Sequence, residues 1–244
     1  MTVDSLSQLD RSTLRERTLQ ALRAAITSGE YRPGDHLGEA ELATSLGVSR
    51  GTVGQALRHL QQEGLVTAGH RSMLRVTSLS LEEVRELFRV RAALEGLAAS
   101  QIISSADRGA AADSLRAALA RLVGPDTDFI ARVDADLGFH LVLCQLSKNS
   151  VLVDTWRHLE GRLRVVIVAA GPVRAQPLMS RERHNAIIDT IESGSMSAAV
   201  DAINQHMALA ADQLAGPRTL TSNCWRPPTV AAHSGSGNTS DVRA

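Results

Sequence analysis

Residues 41–66 read ELATSLGVSRGTVGQALRHLQQEGLV. Leu42 and Leu46 stand one helical turn apart and mark an apolar face. Gly47 ends that short helix, and Ser49 supplies the side-chain oxygen that caps the next. Val53, Leu57 and Leu60 then recur at helical spacing, and Gly64 suits the left-handed position beyond a helix C-terminus. Downstream, Leu65–Thr67 and Leu74–Thr77 read as short strands around His70-Arg71-Ser72-Met73. Two helices about a tight turn followed by a hairpin make a winged helix-turn-helix, whose second helix is shaped for a DNA major groove.

Upstream, Leu14, Leu19, Leu22 and Ile26 form an amphipathic helix closed by SGEYRPGD. Residues 1–12 read as a flexible arm, so the expected DNA-binding domain is residues 13–78. The whole chain has 244 residues, 43% of them apolar, and a formal net charge of zero. Local charge is more informative: between Ser49 and Val76, Arg50, Arg58, Arg71 and Arg75 stand against Glu63. Two cysteines make no disulfide framework and no CxxC pair. The polar start has no signal-peptide pattern, and no apolar run approaches the roughly 18 residues of a membrane span. A cytoplasmic protein without a membrane partner is expected.

A capping box, Ser80-Leu81-Glu82-Glu83, opens the second part. From there to about Leu214 the pattern is helical throughout. Breaks fall at Ser104-Ser105, Val123-Gly124-Pro125, Ser147-Lys148-Asn149, Gly171-Pro172 with Pro177, and Ser193-Gly194. These divide it into about six helices of roughly 14–21 residues. The expected fold class is therefore mainly α, an N-terminal winged helix-turn-helix plus a C-terminal all-α helical bundle. Residues 79–215 are expected to form one helical domain, of the size that carries an interior site. Residues 216–244, rich in Ser, Thr, Gly and Pro, read as a disordered tail.

Within the helical part, four polar residues occupy places the periodicity reserves for apolar side chains. Asp136 and His140 sit one turn apart on the stripe Phe129, Val133, Asp136, His140, Leu143. His184 leads the stripe Ile187, Ile188, Ile191, and His206 lies between Ile203 and Ala210. Burial of such groups without partners costs several kcal/mol, on the order of what a divalent metal would recover by taking them as ligands. Zinc suits three imidazoles and a carboxylate, with nickel and manganese as other fits. A buried histidine is also commonly just a hydrogen-bonded core residue. Arg91 and Glu95, at i and i+4, read either as an ordinary intrahelical ion pair or as an inward Arg for a ligand carboxylate. Cys144, one turn past His140, reads as a small core residue rather than a ligand.

The run LRAAITSGEYRPGDHLGEAELATSLGVSRGTVGQALRHLQQEGLV resembles the DNA-binding domain of the GntR family of bacterial transcription regulators. VRAALEGLAA, DLGFH, SKN and ERHNAIIDTIESGSMSAAVDAINQHM are similar, in that order, to the effector domain of its FadR-type branch. The resemblance covers roughly residues 10 to 214. It implies a homodimer that binds a near-palindromic double-stranded DNA operator and answers to a small metabolite, here expected to be a carboxylate relieving repression. It places DNA contacts at Arg50 and Thr52, with the wing tip His70 and Arg71 reaching the minor groove. Arg58 reads as a phosphate contact. Asp136, His140, His184 and His206 fall at the family's metal-ligand positions, and Arg91 at an arginine near the bound effector. Gly54-Gln55 departs from the family, which commonly has Arg followed by Glu there, so the operator is expected to differ. Two other functions fit the same residues: a metal-dependent enzyme, for which no general base or nucleophile motif is evident, and a regulator whose metal is purely structural.

Overall fold

A computed structural model describes residues 13–69, 73–122 and 128–215. The arm at 1–12, the wing-tip residues His70 and Arg71 and the tail at 216–244 lie outside these. Local chemistry sets the first elements. Thr13 and Glu16 form a capping box that starts α1 (Leu14–Thr27). α2 (Glu39–Leu46) ends at Gly47, whose φ of +65° is a left-handed cap that glycine adopts without steric cost. The Ser49 hydroxyl accepts from Thr52 N–H at 3.1 Å and starts α3 (Arg50–Gln62). β1 (Val66–Ala68) and β2 (Leu74–Val76) pair antiparallel, Val66 opposite Val76 and Ala68 opposite Leu74. Leu22, Ile26, Leu42, Val53, Leu57, Leu60 and Val76 are buried together. Leu46 differs from its reading: it is 37% exposed, so α2 anchors through Leu42 and Ala43.

The helical part is α4 (Leu81–Ile103), α5 (Arg108–Leu119), α6 (Phe129–Leu146), α7 (Ser150–Ala170), α8 (Pro172–Ala175), α9 (Arg181–Ser193) and α10 (Met196–Ala215). Ser80 with Glu83, Asp128 and Asn149 cap α4, α6 and α7 with side-chain oxygens. Prolines allow the short α8 and a following 3-10 turn, Gln176–Met179, where the sequence pattern suggested only a break. α4 and α10 share the most extensive helix contact. Phe88, Leu115, Phe139, Trp156, Leu163, Ile187 and Ile203 fill the interior.

α7 also belongs to the first part. Val165 is buried in the core of the winged unit. Gly161 lies under the C-terminus of α3: a Cβ built there would stand 2.0 Å from the Glu63 carbonyl oxygen and 3.3 Å from the Leu65 side chain. Glycine at 161 therefore permits backbone-to-backbone docking of the winged unit on the bundle. Gly161→Ala gains about 0.5–1 kcal/mol of helix propensity, but the clash with an immovable carbonyl should outweigh it, for a net loss of about 1–3 kcal/mol. Protease cleavage in the 77–80 linker should then increase. Unchanged cleavage and an unchanged melting curve would contradict this docking.

Candidate metal centre and nucleic-acid interface

His140, His184 and His206 come together from α6, α9 and α10. Their candidate ligand atoms all lie within 4.8 Å of one another. Ring centroids are 4.9 to 5.2 Å apart. Asp136 joins them, with Oδ1 3.1 Å from His184 Nε2, close but not aligned as a hydrogen bond. Near 3 Å is the spacing expected of two ligands sharing one cation with bonds of about 2.0–2.2 Å. All four residues are buried.

The outer partners set the tautomers. His184 Nδ1–H donates to the Ser180 carbonyl at 2.8 Å. His140 Nδ1–H donates to Glu95 Oε2 at 2.6 Å. Each leaves Nε2 bare, and His140 Nε2, His184 Nε2 and His206 Nδ1 are buried without a hydrogen-bond partner among the described residues. Leaving such atoms unpaired is costly, so these orphaned nitrogens fit a cation. Burial, reinforced by Arg91, pushes the His140 imidazole well below its ordinary 6.5. Burial, then repulsion from the other two histidines, does the same to His206. Burial raises the Asp136 carboxyl, but attraction to His184, His140 and Arg91 outweighs it and leaves it below the usual range. Neutral imidazoles at His140 and His206 beside an ionised Asp136 are protonation states a divalent metal requires.

Glu95 is the residue the sequence reading underrated. It is fully buried, and the Arg91–Glu95 pair is no surface ion pair: Arg91 is 2% exposed. Arg91 Nε donates to Glu95 Oε1 at 2.8 Å, and Trp156 Nε1 donates to the same oxygen at 3.0 Å. The carboxylate that orients His140 is thus itself held by two donors. The available signal was its place one turn from Arg91 on a helix with a capped start. Arg91 Nη2 remains buried and unpartnered. Arg91, Asp136, His206, Phe88 and Met179 border a cavity of about 20 Å³, room for one water-sized group. Cys144 is buried, with its thiol pushed up by burial and by Glu95, and its sulfur is not among the ligand atoms that cluster with the three histidines.

On the other unit, Arg50 and Arg58 are exposed on α3, and neither has an intramolecular ion pair among the described residues. Thr52 is half-buried, with its hydroxyl 2.9 Å from that of Ser49. Gly54 is buried facing α2, where its Cβ would meet Glu39 Oε1 at 2.9 Å. The Arg58 guanidinium, one turn on, also lies over it, with Nη1 3.5 Å from that Cβ position.

Three outcomes follow from this geometry. Glu95→Ala strands a buried guanidinium and should cost about 3–5 kcal/mol in denaturant unfolding; a loss below 1 kcal/mol would contradict the network. His140→Ala should lower both bound metal, measured by plasma emission, and thermal stability; full occupancy would remove His140 from the site. For pH, the unfolded chain binds protons at His140 and His206 near 6.5 while the folded chain resists them. Stability of the metal-free protein should thus fall as pH drops below about 6.5. A melting temperature that is flat between pH 7.5 and 5.5 would contradict the buried neutral state.

Comparison with known proteins agrees along the length of the chain. The family description "Bacterial regulatory proteins, gntR family" matches residues 14–76, and the FCD domain matches residues 86–209. The chain is 26% identical over 189 residues to the HTH-type transcriptional regulator YdhC of Bacillus subtilis, covering 76% of this chain and 84% of that one. It is 27% identical over 214 residues to LutR of the same organism, covering 78% and 96%. A GntR transcriptional regulator from Rhodococcus sp. RHA1 superposes with a TM-score of 0.66 at 25% identity, over 83% of this chain and 98% of that one. The E. coli McbR/YncC structure shares the fold, with a TM-score of 0.60 at 18% identity over 80% and 94%. YdhC, LutR and the Rhodococcus protein are described as transcriptional regulators, not enzymes, and among the described residues no helix is long and apolar enough to cross a membrane. The chain belongs to the GntR family of bacterial transcription regulators, with an FCD domain following its DNA-binding domain.

Proposed function

We propose that this protein is a metal-containing, ligand-responsive repressor that works in the cytoplasm as a homodimer on a near-palindromic operator. The observation that carries the metal is the set of three buried, unpartnered imidazole nitrogens beside Asp136. Asp136, His140, His184 and His206 would hold the ion, zinc first and nickel or manganese next. When bound, the ion would supply a Lewis-acidic centre. The chain's own residues do the rest: Glu95 fixes the His140 ring, Arg91 Nη2 offers an unused donor to a carboxylate, and Phe88 with Met179 forms part of the chamber's apolar wall. A flexible Met side chain suits a wall that must yield to a ligand.

Dimerisation is supported by Val90 and Leu97, exposed two turns apart on α4, with Val151 exposed on α7. DNA reading is assigned to α3, with Arg50 and Thr52 at its N-terminus and Arg58 on phosphate; His70 and Arg71 of the wing tip complete the set. Repression is supported by a relative, 27% identical over 204 residues, described as a D-xylose utilization operon transcriptional repressor of Paenarthrobacter nicotinovorans. A second reading, a metal that only ties α6, α9 and α10 together, is favoured by the small size of the cavity.

Calorimetric titration of the zinc-loaded protein with small carboxylates separates the two: binding without turnover, lost in Arg91→Ala, supports the sensor. No heat with any carboxylate supports the structural metal. Arg50→Ala should lower specific operator affinity by about 10- to 100-fold, as for loss of one base contact, while the dimer persists in size-exclusion chromatography. Unchanged specificity would contradict the assignment of α3.

A further inference from the structure

The outward face of α3 contains an exposed polar side chain between its two arginines. Gly51, Gln55, Arg58 and Gln62 recur at three- and four-residue steps, opposite the fully buried Val53, Leu57 and Leu60. A recognition helix places its N-terminal residues against base edges. In those first two turns neither Gly51 nor Gly54 has a side chain. Gln55 is thus the side chain that occupies the middle of the face. Around the Cβ position of Gly51, the nearest neighbour is Ser49 Oγ at 3.8 Å. The helix backbone is therefore bare one turn before Gln55, which permits close approach to a groove floor. The Gln55 amide has no intramolecular partner among the described residues.

A primary amide ends in one acceptor and one donor side by side. In the major groove that pair matches adenine, whose N7 accepts while its N6 amino group donates. Guanine offers two acceptors there and suits arginine instead. We propose that Gln55 determines operator specificity by reading one adenine in each half-site, with Arg50 and Arg58 fixing the helix on either side. This rests on the assignment of α3 to DNA.

The test is selection of bound sequences from random DNA by the full-length, metal-loaded protein and by its Gln55→Ala and Gln55→Glu variants. Melting curves confirm that all three are folded. Wild-type protein should enrich a symmetric motif with adenine at one position per half-site. Gln55→Ala should lose the preference at that position alone and bind the wild-type motif about 10- to 100-fold more weakly. Gln55→Glu, an acceptor only, should shift the position toward cytosine, whose N4 amino group donates. An unchanged motif in both variants, or relaxation at a base other than adenine, would overturn the role of Gln55 and leave α3 as the reading helix. Failure of wild-type protein to enrich any motif would overturn the assignment of α3 as well.

Discussion

The buried carboxylate of Glu95 is the constraint on which the bundle interior depends. A charge in a dry core is tolerated only when donors surround it. Here Arg91 from its own helix, Trp156 from α7 and His140 from α6 supply them. The same contacts decide chemistry. By accepting the Nδ1 proton of His140, Glu95 leaves Nε2 as a lone-pair donor facing the other two histidines. Ser180 does the same for His184 through a backbone carbonyl. Helix packing and ligand orientation are therefore one set of interactions, and this outer layer is what a metal site needs in order to hold its ligands still.

α7 joins this interior to the DNA-binding unit. Trp156, on one stretch of the helix, reaches the Glu95 carboxylate. Gly161 and Val165, further along, carry the backbone at Glu63 and the core of the winged unit. Glu63 caps the C-terminus of α3. A close-packed helix transmits displacement rather than absorbing it, so the seat of α3 and the Glu95 carboxylate behind His140 both rest on neighbouring turns of one rigid element. That connection gives a ligand a physical means of favouring one arrangement of the DNA-binding units, to the extent of its differential affinity for them.

Much of this was legible in the sequence because its causes are local. Ser49, Ser80 and Asn149 cap the next helix with their own side chains, and the breaks at Gly47 and Gly194 are left-handed glycines. The helical periodicity also placed Asp136, His140, His184 and His206 inward, where the structure gathers them. What was not legible depends on partners distant in sequence. Glu95 reads as half of an ordinary i,i+4 pair until Trp156, 61 residues away, is seen donating to it. Gly161 looks like an ordinary helix weakness until the α3 terminus is seen resting on it. Leu46 continues the apolar spacing of Leu42, yet α2 is too short to bury both.

Diffraction from crystals of the zinc-loaded protein, recorded above and below the zinc absorption edge, tests the central claim most directly. One anomalous peak per chain is predicted inside the bundle, about 2.0–2.2 Å from nitrogen atoms of His140, His184 and His206 and an oxygen of Asp136. A chain that takes up no zinc at this place, or whose four side chains hydrogen-bond elsewhere and diverge, would contradict it.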